Sequence, residues 1–136
     1  MSSDKPDGGP RRYEVDPDPA WDLSDEQDGV LTVELSWVPD PLAGRPPELV
    51  ASPELVEVMA GAGLTGYTTG AARATFDEQS PAAEEGVPVP ELVQLIVGTD
   101  SSADLSYEQG YGLVVSERAL AVIQPHCNNL TVGRTL

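Results

Sequence analysis

The chain has 136 residues, 40% of them hydrophobic and only seven aromatic, and its 23 acids against seven bases give a formal charge of −16. One domain is expected, since domains commonly run to about 100–200 residues, and Leu, Val and Ala must fill most of a modest core. The charge repels nucleic-acid backbones and anionic membranes, so neither is an expected partner, and the single cysteine, Cys127, excludes an internal disulfide or a thiolate metal cluster.

Residues 1–28 hold nine of the acids and three of the bases, rich in Pro, Gly and Asp and poor in apolar anchors. Such a composition buries too little surface to offset the entropy of ordering, so a flexible acidic leader is predicted, with Trp21 and Leu23 available as a short clip. No apolar signal-peptide core and no run of about 18 apolar residues is present, and a cytoplasmic protein is expected.

A single α+β domain is predicted over residues 29–136. Val30 to Val38 is a β-rich run that places Leu31, Val33, Leu35 and Trp37 on one face and Thr32, Glu34 and Ser36 on the other. Leu49, Val50 and Ala51 lead into Ser52, Pro53 and Glu54, a helix start in which Ser caps, Pro takes the first position and Glu suits the positive end of the dipole. Leu55, Val58, Met59 and Ala62 form its core stripe. A weak strand up to Phe76 follows, with Gly70 and several alanines.

Residues 77–91 carry five acids, three prolines and no base, which predicts a solvated loop containing Glu84 and Glu85. Leu92 to Val97 is apolar nearly throughout and is the expected sheet centre. A second polar stretch then runs to Gly112. Leu113, Val114 and Val115 predict a strand, Ser116 a cap, and Ala119, Leu120, Val122 and Ile123 a helix face stopped by Pro125, with Leu130, Thr131 and Val132 as a closing strand. Residues 49–76 and 113–136 thus share a strand–helix–strand order, which is either a degenerate repeat or the coincidence of two capped helices. The expected fold is a small, mostly antiparallel sheet of four to six strands packed on two helices, behind a disordered leader.

For chemistry, His126 and Cys127 follow a helix C-terminus, whose negative end raises a thiol pKa, so they are not expected to act as nucleophile and base. Asp100, Asp104 and Glu108 recur at every fourth residue but lack the glycine and alternating ligands of a calcium loop. The sequence contains no phosphate loop, no paired Cys or His spacing and no nucleophile elbow, so neither a catalytic residue nor a metal or cofactor is expected. The stretch with Asp100, Asp104, Tyr107, Glu108 and Tyr111 combines charge with the residue type that anchors interfaces, and together with Glu84 and Glu85 it is the expected partner-binding face.

The segment Leu113, Val114, Val115, Ser116, Glu117, Arg118, Ala119, Leu120 resembles one found toward the C-terminus of bacterial immunity proteins, notably the double-CXXCG-motif family of myxobacteria. Ser52, Pro53, Glu54 and Leu55, followed by Ala62, Gly63, Leu64, Thr65 and Gly66, resembles a helix-and-turn segment of the same family. The family's paired CXXC motifs are absent here, and so is any zinc site they imply. The resemblance implies a toxin-neutralising or related genome-neighbourhood role and transfers no site residues. The expectation is therefore a non-catalytic immunity-type protein that binds a basic toxin domain; the alternatives are an adaptor docking through the leader around Trp21 and, last, a small acid–base enzyme.

Overall fold

The computed structural model describes residues 11–136, the side chains of residues 22 and 23 excepted. The fold is α+β. Among the described residues ten strands, β1 (Arg12–Asp16), β2 (Trp21–Gln27), β3 (Val30–Leu35), β4 (Leu42–Arg45), β5 (Glu48–Ala51), β6 (Tyr67–Phe76), β7 (Val93–Val97), β8 (Leu105–Glu108), β9 (Gly112–Ser116) and β10 (Thr131–Thr135), accompany three α-helices. These are α1 (Pro53–Gly61), α2 (Pro81–Glu84) and α3 (Glu117–Ile123). The strands form a four-stranded sheet, β10-β1-β9-β8, and a six-stranded sheet, β2-β3-β6-β7-β5-β4. Every ladder except β3 with β6 is antiparallel.

The strand count exceeds the expected four to six, and the helix count the expected two, because local patterns hid pairings made at long range. The leader expectation is corrected for residues 12–27: β1 lies between β10 and β9, and β2 pairs with β3. Few apolar residues suffice there, because those present land on the core. Val15 is buried, as are Ala20 and Trp21, and the ladders satisfy the backbone. Residues 1–10 of the expected leader, and the side chain of Leu23, lie outside the described residues. The solvated loop at 77–91 contains α2, capped by Ser80 Oγ accepting from the Ala83 N–H at 3.2 Å. The polar stretch before Gly112 contains β8, which makes a hairpin with β9.

The six-stranded sheet is rolled until its two edges meet. Arg45 on β4 donates to the Trp21 carbonyl on β2 at 2.7 Å, and Ser24 on β2 donates to Glu48 on β5 at 2.6 Å. The Trp21 indole lies against Gly44, where a side chain would collide with both the ring and the Glu48 carbonyl. Trp21, Leu31, Val33, Leu35, Ala43, Val50 and Leu92 fill the inside of this roll, with Ala72, Ala74 and Phe76 packed on them. Leu42, Leu49, Ala51, Leu95 and Val97, the alternate positions of the same sheet, build the main core with α1, α3 and the four-stranded sheet. β7 sits inside the sheet, between β6 and β5.

The helices start where side-chain chemistry directs them. Ser52 Oγ accepts from the Leu55 N–H at 3.1 Å and Ser116 Oγ from the Ala119 N–H at 3.0 Å, each in place of an absent intrahelical acceptor. Leu55 and Met59 of α1 are buried, whereas Val58, expected in the stripe, is 40% exposed. β5-α1-β6 and β9-α3-β10 each return the chain to a strand parallel to the first with one antiparallel strand between, β7 and β1 respectively. β8 joins the two sheets: Leu105 N–H donates to the Thr65 carbonyl at 3.0 Å and Tyr107 N–H to the Gly98 carbonyl at 2.7 Å.

Candidate functional site

The structure divides the expected binding residues between two places. Asp100, Asp104, Tyr107, Glu108 and Tyr111 occupy the β8–β9 hairpin and its approach, whereas Glu84 and Glu85 lie at the end of α2, in the connection between β6 and β7. Within the hairpin most of these groups already have internal partners.

Asp104 is the most engaged. Its carboxylate accepts from the Thr65 N–H at 2.9 Å, from the Ser116 hydroxyl at 2.7 Å and from the Arg118 guanidinium at 2.8 Å. Burial works to raise its pKa, but the bonds from Arg118, Ser116 and Thr65 outweigh that and hold it at about 2. Glu108 faces Arg12, whose Nε stands 3.4 Å away, while the other Arg12 nitrogens donate to the Ala103 carbonyl and to Ser106. Tyr107 packs on the main core, its hydroxyl buried and without a hydrogen-bond partner among the described residues, and burial pushes its pKa up. The sequence left open whether Tyr107 and Tyr111 meet a partner or fold back onto the sheet; Tyr107 folds back onto the core, and Glu108 is held by Arg12.

Asp100 and Tyr111 do face solvent. Asp100 closes a turn by accepting from the Ser102 hydroxyl at 2.6 Å and the Ser102 N–H at 2.9 Å, which hold its carboxyl below the usual range. The Tyr111 ring carries the Arg134 guanidinium 4.4 Å from its centroid, and Arg134 is bound at 2.8 Å to Glu14. Glu84 and Glu85 are exposed.

Two features escaped the sequence reading. One is the outer face of the rolled sheet, where Asp25, Thr32, Glu34 and Thr75 are exposed and, with Ser24, line a shallow cleft of about 200 Å³. Alternation of Thr32 and Glu34 with Leu31, Val33 and Leu35 signalled that face. The other is Asp18, 1% exposed, which accepts from the Trp37 indole N–H at 2.9 Å and the Asp40 N–H at 3.0 Å. No periodicity marks an aspartate between two prolines as a buried acceptor. Trp37 itself, expected on the core face with Leu35, is 44% exposed, because β3 ends at Leu35 and the chain turns away.

His126 is exposed on a 3-10 turn at Gln124–His126, and Cys127 is half-buried, its thiol pushed up by burial and, more weakly, by Asp40 and Asp18, against a backbone hydrogen bond at Leu42. Among the described residues, no group of three or more His, Cys, Asp or Glu is placed to hold a metal ion, and no helix is long and apolar enough to cross a membrane.

No family model, no curated protein and no solved structure matches this chain.

Proposed function

We propose that this protein is a non-catalytic acidic binder of immunity type, which neutralises a toxin by covering a basic face of it. The observation that carries the reading is how the arginines are used. Arg12, Arg118 and Arg134 pair with Glu108, Asp104 and Glu14; Arg118 and Arg134 keep 55% and 59% of their side chains exposed, but each of the three charges is matched by an acid, which leaves the remaining acids with few bases among them. The exposed acids, among them Asp25, Glu34, Glu84, Glu85 and Asp100, then project a negative field that steers a cationic partner toward its docking pose.

An adaptor that docks through the segment around Trp21 is less well supported. It required Trp21 as a linear docking residue, but Trp21 is 3% exposed inside the rolled sheet, and deleting residues 1–28 would remove two strands.

The test begins with capture of partners from the native cell, followed by association kinetics of the captured protein across a salt series. A basic partner whose association rate falls by roughly tenfold or more between low and high salt supports the reading. A partner that is acidic, or an association rate indifferent to salt, overturns it.

A further inference from the structure

We infer that Trp37 is a fixed aromatic platform that receives a guanidinium or ammonium side chain of the partner, an assignment that rests on the proposed binding of a basic protein and names its point of contact. Trp37 belongs to neither core cluster and leaves 44% of its surface exposed, and the neighbouring Val38 is 53% exposed. An exposed indole on a loop is ordinarily free to change rotamer. Here it is not, because its N–H donates to both oxygens of Asp18, at 2.9 and 3.2 Å.

Asp18 is itself immobile. It is 1% exposed and also accepts from the Asp40 N–H at 3.0 Å and the Ala20 N–H at 3.3 Å, while the backbone carbonyl of the same residue accepts from the Gly44 N–H at 2.7 Å. The ring is therefore held from its polar edge, and binding through its face costs little side-chain entropy.

Charge decides what the ring receives. A carboxylate bonded to the indole N–H adds electron density to a ring whose faces already attract cations. The whole chain carries −16, so the field brings cations to this face and repels anions. Arg134 stands over the Tyr111 ring, which shows a cation on an aromatic face in this same molecule, and Trp37 offers the same acceptor chemistry on a ring that is 44% exposed. Val38 beside it offers an apolar surface for the methylene stem of an arginine or lysine.

The test uses the full chain, labelled with ¹⁵N, titrated at low ionic strength with an octa-arginine peptide, an octa-lysine peptide and a neutral octa-serine peptide. The two indole N–H signals separate the platform from an internal control, Trp21, which is 3% exposed. The expected result is a saturable shift of the Trp37 signal with both cationic peptides, no shift with octa-serine and an unmoved Trp21 signal. In Trp37→Leu the octa-arginine affinity is expected to fall roughly 3- to 10-fold. Should that variant fail to fold, the wild-type titration decides alone. Oligoarginine that moves backbone amides but not the Trp37 indole, or an equal response to octa-serine, overturns the assignment. A captured basic partner whose binding is salt-sensitive but leaves Trp37 untouched also overturns it, while sparing the acidic-surface reading. A Trp37 response without any basic partner in the cell supports the platform and removes that reading.

Discussion

Arg118 reaches Asp104 at 2.8 Å and, with the same guanidinium, donates to the Ala62 carbonyl at 2.9 Å and the Gly63 carbonyl at 3.0 Å. One side chain at the start of α3 thereby closes the C-terminal end of α1, where carbonyls lack intrahelical partners, and fastens the approach to β8. Asp104 answers from the other side by accepting from Ser116, the residue that caps α3.

Replacing Asp104 with Asn removes the charge while nearly keeping the shape. Hydrogen bonds to an ionised group are worth more than neutral ones, so D104N is expected to lower unfolding free energy by roughly 2 kcal/mol. Urea unfolding of D104N, R118Q and the double variant checks it. Less than the sum of the single losses is expected from the double variant, because the two groups share one interaction.

The same carboxylate sets an acid limit. Its pKa in the folded protein, about 2, lies below the ordinary 3.8, so its contribution is fully present above the ordinary value and is lost as pH falls through that window. The stability difference between the native sequence and D104N is expected to be constant near neutrality and to shrink as pH falls from about 4 toward 2. Unfolding measured over this range is the check; a difference that stays constant down to the acid end contradicts it.

Gly44 has φ of +118° and no room for a side chain against Trp21. Gly44→Ala is expected to cost more than about 2 kcal/mol, by combining backbone strain with displacement of the indole from the rolled sheet. The readout is tryptophan emission, which is expected to move to longer wavelength as Trp21 gains water.

Tyr107 buries a hydroxyl that meets no partner among the described residues. Tyr107→Phe removes an unsatisfied polar group and keeps the ring, so the variant is expected to be as stable as the native protein or more stable by about 1 kcal/mol. Thermal unfolding tests this, and a loss of more than that amount would reveal a hydrogen bond to the hydroxyl in solution.

What could be read in the sequence follows from which interactions are local. The Ser52 and Ser116 caps bond N–H groups three residues on, so the starts of α1 and α3 were visible. β7 was visible from its own composition. β1 and β2 were not, because what orders them is pairing with β9, β10 and β3, and an average over a polar stretch conceals Val15 and Trp21. Trp37 was assigned to the core because alternation ran one step past Leu35, where the Asp77 N–H takes the carbonyl and the strand ends. At the site, the acids were evident but their occupation was not. Arg12 meets Glu108 and Arg134 meets Glu14 across more than ninety positions of the chain, a separation no spacing rule encodes.

The place of β1 between β10 and β9 also governs the order in which the molecule can be assembled. During translation the segment at Arg12–Asp16 precedes both its neighbours in the sheet by more than ninety residues. The rolled sheet has all its strands by Val97 and is free to form on the ribosome, whereas the four-stranded sheet waits for Thr135. Pairings at such sequence separation raise the contact order, so closure of this sheet is expected to be slow, and until it closes β1 stands as an unpaired strand.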